Sequence, residues 1–157
     1  MGSPLSGIMT EMFLQHLEDS HIKPLLESKC IIFYSRYVDI IIIYDATRTD
    51  PETRVQHANY MHSNLQLTPT LESNNQISFL DLLIIRKSHQ LEIDVYCKPT
   101  TTDTTVNYLS NHPMEHKLAA YRYYIARMLN LPLDRTRQLR EGQTILYTAT
   151  SNNFQTI

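Results

Sequence analysis

Apolar residues recur at the helical period from the start of the chain: Leu5, Ile8, Met9, Met12, Phe13 and Leu17 fall on one side, with Glu11, Gln15, Glu18 and Asp19 opposite. Ser3 can cap this helix and Pro4 suits its first position, giving about five turns before Pro24 interrupts it or starts a second short helix ending near Ser28. The pattern then changes. Between Cys30 and Tyr44, two runs of β-branched and aromatic residues flank one acid, Asp39, which predicts a hairpin with the acid at its tip. Asp50-Pro51-Glu52 is a helix start signal, and Val55, Ala58, Met61 and Leu65 form the stripe that follows.

Ser73-Asn74-Asn75 reads as a turn, Ile77 to Arg86 as one apolar strand and Lys87 to Gln90 as a second turn. In the strand from Leu91 to Tyr96 the alternation is clean, so Leu91, Ile93 and Val95 are expected to face a core and Glu92 and Asp94 to face water. Lys98 to Thr105 reads as a loop or extended link. A helix is expected to begin after His112-Pro113 and run to about Asn130, broken by Pro132, then a last helix capped by Asp134. Gly142 lies within it at a cost of roughly 1 kcal/mol relative to alanine. The tail from Ser151 to Phe154 is expected to fray. The fold class is therefore α+β, with a helical hairpin or helix-turn-helix pattern closing the chain.

The 157 residues carry a formal charge of −2, which provides no global basic field for nucleic acid. The charge is unevenly spread. Residues 1–97 hold 7 Lys/Arg against 12 Asp/Glu, and residues 98–157 hold 7 against 4. Two cysteines, Cys30 and Cys97, in apolar surroundings suggest small core side chains and no disulfide framework or zinc site. No apolar run reaches the roughly 18 residues of a membrane span, so a soluble intracellular chain without a membrane partner is expected.

Five motifs in order carry a resemblance. Gly2-Ser3-Pro4-Leu5-Ser6 and Arg36-Tyr37-Val38-Asp39 resemble the nucleotide-proximal segment and the start of the Tyr-x-Asp-Asp box of a reverse transcriptase palm. Phe79-Leu80-Asp81-Leu82, Tyr96-Cys97-Lys98-Pro99-Thr100 and the segment from Ser110 to Lys117 resemble the distal palm and the region beyond it in Penelope-like retroelements. The similarity runs from Gly2 to about Asn153. It implies a partial palm over residues 1–97, an antiparallel sheet backed by helices, and a linker with a helix-turn-helix-like module over residues 98–157.

The resemblance also implies a chemistry. In that family two magnesium ions, about 3.5–4 Å apart, stabilise the attacking and leaving oxygens of nucleotidyl transfer. Magnesium takes oxygen ligands, supplied by an acidic strand and the adjacent Asp pair. Here Asp39 is the metal-binding and catalytic position, Ile40 replaces its neighbour, and the acidic strand would precede Gly2. The expected reading is thus a reverse transcriptase fragment, inactive alone, holding magnesium weakly, with RNA template, DNA primer and an N-terminal palm segment as its partners. Gly2, Ser3, Pro4 and Tyr37 become template or nucleotide contacts.

Each candidate has a plainer reading. Asp39 can be a leftover turn residue, Ser3 and Pro4 a helix cap, and Tyr37 a core aromatic. His112 and His116 are four apart, but Pro113 separates them from a shared helix face, so they suit a cap or solvent role better than zinc. Lys117, Arg122, Arg127, Arg135, Arg137 and Arg140, interleaved with Tyr121, Tyr123 and Tyr124, either follow a nucleic-acid backbone or form the outer face of an ordinary amphipathic helix pair. A non-catalytic nucleic-acid-binding protein and a degenerate relic are the two alternatives to the polymerase fragment. The uncharged run Ile40 to Ile43 is prone to edge pairing.

Overall fold

The structure, a computed structural model, describes residues 5–48, 50–60 and 66–155, without the side chains of Arg54, His57 and Ala58. Gly2, Ser3 and Pro4 lie outside the described residues, as do Met61 and Leu65 and the side chain of Ala58 in the third helical stripe. The protein is α+β, and its chain forms two compact units, Met1–Thr70 and Leu71–Ile157. Strands after Leu71 therefore belong to the same unit as the last two helices, whereas the motifs divide the chain after Cys97.

In the first unit α1 (Ser6–Leu17) runs into a π-helical turn, Glu18–Ile22, and then α2 (Lys23–Glu27), with Pro24 in its first turn where a missing N–H costs little. Lys29, at φ 57°, ends α2: its N–H donates to the Leu26 carbonyl and that of Cys30 to the Leu25 carbonyl, both at 3.0 Å. This is the Schellman pattern that satisfies the last carbonyls. β1 (Ile31–Tyr37) then pairs antiparallel with β2 (Asp39–Tyr44), from Tyr37 opposite Asp39 through Arg36 opposite Ile40 to Ile31 opposite Tyr44. Val38 makes the turn at φ 64°. Asp50 caps α3 (Pro51–Tyr60), accepting from the Thr53 N–H at 2.9 Å.

The apolar stripe of α1 does not form a core. Leu5, Ile8, Met9 and Met12 are each at least 60% exposed, and Ile31 is the one buried apolar residue among those described in this unit. The acidic side meets the hairpin instead. Arg36 donates to both Glu11 oxygens, at 2.7 and 3.1 Å, and through Nε to Glu18, whose carboxylate also accepts from Tyr34. Glu11 and Glu18 are seven residues apart, two helical turns, so one guanidinium reaches both.

The second unit begins with a meander, β3 (Gln76–Phe79), β4 (Leu82–Arg86) and β5 (Leu91–Val95), in the order β3-β4-β5. Asn74 and Asn75, both at positive φ, make the tight turn that leads into β3. The single strand expected from Ile77 to Arg86 is a hairpin: Phe79 pairs with Leu82, and Leu80 turns at φ 55°. α4 (Met114–Asn130) and α5 (Arg135–Ser151) follow, with the Asp134 carboxylate accepting from the Arg137 N–H at 2.8 Å.

The interior here is as polar as it is apolar. Ile85, Tyr121 and Ile145 are buried together with Asp94, Lys117, Glu141, Thr148 and Asn152. Arg127 on α4 donates to Glu141 on α5 at 2.6 Å, with both side chains at least 85% covered. The tail does not fray. The Asn152 side chain accepts from the Thr105 N–H and donates to the carbonyls of Asp103 and Thr148, while the Phe154 ring packs edge-on against Tyr108 and Tyr121. Neither cysteine is in a disulfide. Cys30 is half-buried, but Cys97 is exposed, so the expected core role fails for it.

Two outcomes follow. Arg36 holds Glu11 and Glu18 below the ordinary glutamate value of 4.5. A lowered folded-state pKa contributes stability that is present above that value and lost as pH falls through the folded one. Protection of the β1–β2 amides, taken as the exchange rate relative to that of an unstructured chain at the same pH, should therefore fall below pH 4.5, and Arg36→Met should flatten that dependence. In the second unit Glu141→Ala strands the Arg127 charge and should cost about 3 kcal/mol in denaturant unfolding, while Arg127→Met with Glu141→Leu should recover most of it.

Candidate functional site

Two sets of residues are candidates, one in each unit. The first surrounds the β1–β2 turn. Val38 at φ 64° lets the chain reverse between Tyr37 and Asp39, which stand opposite each other as the last residue of β1 and the first of β2. Asp39 is exposed, Tyr37 is 71% exposed, and Val38 projects furthest at 89%. Tyr37 is thus not a core aromatic. Ile40 stands across the ladder from Arg36, whose guanidinium is already occupied by Glu11 and Glu18.

Asp39 brings one carboxylate to this turn, and the adjoining Ile40 adds no oxygen. Among the described residues no group of three or more His, Cys, Asp or Glu side chains is arranged to hold a metal ion. The described residues at this turn do not fit a two-magnesium centre, because a pair of ions needs more than the single carboxylate of Asp39 to hold it. The His112 Nδ1 lies 3.1 Å from the Ser110 hydroxyl, a contact within the loop before α4.

The second set is the run of bases on α4 and α5. Lys117 is buried and donates through Nζ to the Tyr108 carbonyl at 2.6 Å. Arg127 is paired with Glu141 and lies 5.5 and 5.6 Å from the ring centres of Tyr124 and Tyr123. Arg137 meets three carboxylates: Glu92 at 2.6 Å, Asp134 at 2.7 Å and Asp94 at 3.6 Å. These three cations are internal struts, and a phosphate would have to displace their partners. Arg122, Arg135 and Arg140 are exposed, although Arg122 pairs with Glu115 and Arg140 with Asp94.

The acids of β5 are the residues that sequence reasoning misread. Glu92 and Asp94 face α5 rather than water, and Asp94 is buried between Arg137 and Arg140. Arg137 holds Glu92 below the ordinary carboxylate range. A signal for this existed: acids two apart on a strand and arginines three apart on a helix each share one face. Counting β5 with the helices changes the charge picture too, since residues 71–157 carry nine Lys/Arg against eight Asp/Glu. The excess of the last sixty residues is largely neutralised by the meander.

The Tyr123 hydroxyl donates to Asp81 at 2.5 Å, which raises its pKa, while the Tyr121 hydroxyl lies 2.7 Å from that of Thr105. These tyrosines join α4 to its own unit, and Tyr123 alone of the three keeps half its surface exposed. Compared with protein families, curated proteins and solved structures, the chain has no match.

The placement of the bases sets a limit on nucleic-acid binding. If three exposed arginines make the phosphate contacts, the slope of log K against log salt is no steeper than about −3, whereas six contacts approach about −5. Fluorescence anisotropy with a labelled duplex across a salt series measures it. Lys117→Met should lower thermal stability and leave the slope unchanged.

Proposed function

We propose that the chain is a portion of a reverse transcriptase palm with the helical module that follows it, descended from a Penelope-like retroelement enzyme, which engages template–primer without extending it. The observation that carries this reading is the Tyr37-Val38-Asp39 turn, where an exposed tyrosine and an exposed aspartate flank a tight reversal between two antiparallel strands preceded by a helix. Such a turn presents a carboxylate and a ring to a nucleic-acid end. Loss of extension follows from Ile40, which leaves Asp39 without the adjacent carboxylate of the box it resembles. The exposed arginines Arg122, Arg135 and Arg140 favour a second reading, in which the helical module binds nucleic acid by itself.

Photo-crosslinking separates the two. A primer bearing 4-thiothymidine at its 3′ end, annealed to an RNA template, should crosslink to residues 33–45, mapped by mass spectrometry, with no primer extension in magnesium or manganese. Crosslinks confined to residues 114–151 overturn the palm reading in favour of the binding module. The absence of any crosslink above a non-specific competitor overturns both and leaves a relic.

A further inference from the structure

We propose that the outer edge of β2 is a self-pairing surface, along which two copies of the chain join antiparallel, centred on Ile41, into one four-stranded sheet. Among the described residues β2 is hydrogen-bonded to β1 alone, so its other edge presents unpaired N–H and C=O groups. That edge runs Asp39-Ile40-Ile41-Ile42-Ile43-Tyr44, with four consecutive isoleucines and no proline or glycine. Ile40 and Ile42 are 37% and 40% exposed, more than a well-covered isoleucine retains. The outer edge of β1 differs, because Ser35 and Arg36 interrupt its apolar run and its start lies against α2.

Charge and register select the occupant. An antiparallel pair of identical strands has a two-fold axis through one residue, which faces its own copy. Centring on Ile41 or Ile42 uses the most of β2. With Ile42 on the axis, Asp39 faces Asp45 of the other copy, a like-charge pair across the ladder. With Ile41 on the axis, Asp39 faces Ile43, Ile40 faces Ile42, and no like charges meet. The edge is therefore compatible with itself in the Ile41 register, and the closed two-fold arrangement ends at the two β1 edges.

Light scattering should show a dimer at micromolar concentration. On mild oxidation Ile41→Cys should form a covalent dimer through its own thiol, mapped by mass spectrometry to distinguish it from Cys30 and Cys97. Ile42→Cys, which faces Ile40 and not itself, should react at least about tenfold more slowly. Ile41→Lys sets two ammonium groups face to face and should give monomers, while Ile43→Lys sets one opposite Asp39 and should keep the dimer. A monodisperse monomer, open-ended oligomers, equal crosslinking at positions 41 and 42, or equal effects of the two lysines would each overturn the proposal. The cysteine pair and Ile43→Lys remain decisive if Ile41→Lys does not fold.

Discussion

Arginine held between carboxylates is the joint on which both units depend. Among the described residues each unit buries few apolar side chains, and a sheet two or three strands wide has little of its own to close against. Guanidinium groups bridge that gap. Arg36 ties the hairpin to α1 and the π-helical turn, Arg137 and Arg140 tie α5 to β5, and Arg127 ties α4 to α5. A planar fork of donors satisfies two carboxylates at fixed angles, so it sets orientation as well as distance. The same joints make the interior intolerant of losing one partner, because the remaining charge has no water to return to.

This arrangement settles which bases can act outside the fold. Arg127 and Arg137 serve the interior, and Lys117 closes the loop before α4 by its bond to Tyr108. Of the six bases on α4 and α5 this leaves Arg122, Arg135 and Arg140 exposed, and Arg122 and Arg140 are already paired with an acid. At the other candidate site the balance is reversed. The β1–β2 turn exposes Tyr37, Val38 and Asp39 while its charged neighbour Arg36 is turned inward and neutralised. The hairpin thus presents rings, methyls and one acid, a surface without positive charge of its own.

Local signals were legible in the sequence where the cause was local. Asp134 and Asp50 cap their helices because a short acid before a first turn has N–H groups to accept from, and Asn74-Asn75 turns because asparagine tolerates positive φ. The Tyr37-Val38-Asp39 reversal was legible as a polar break in an apolar run. The Leu80 turn was not, because an apolar residue at its bend carries no turn signal. Which face of an amphipathic element is covered was also illegible. Periodicity separates the acids of α1 and β5 from their apolar neighbours, but whether acids face water depends on the arginines brought to them by the fold. The tail is ordered for a similar reason, since Asn152 finds its partners some fifty residues back in the chain.

Val38 carries a further meaning. A β-branched residue at positive φ sits in a conformation that costs roughly 1–2 kcal/mol relative to the ordinary regions, and glycine or asparagine would avoid most of it. A short hairpin with a thin interior is a poor place to keep such a strain for folding alone. Within the hairpin, replacing Val38 by glycine or asparagine is therefore the substitution with the most backbone strain to relieve, and the exposed turn leaves no packed side chain to lose by it.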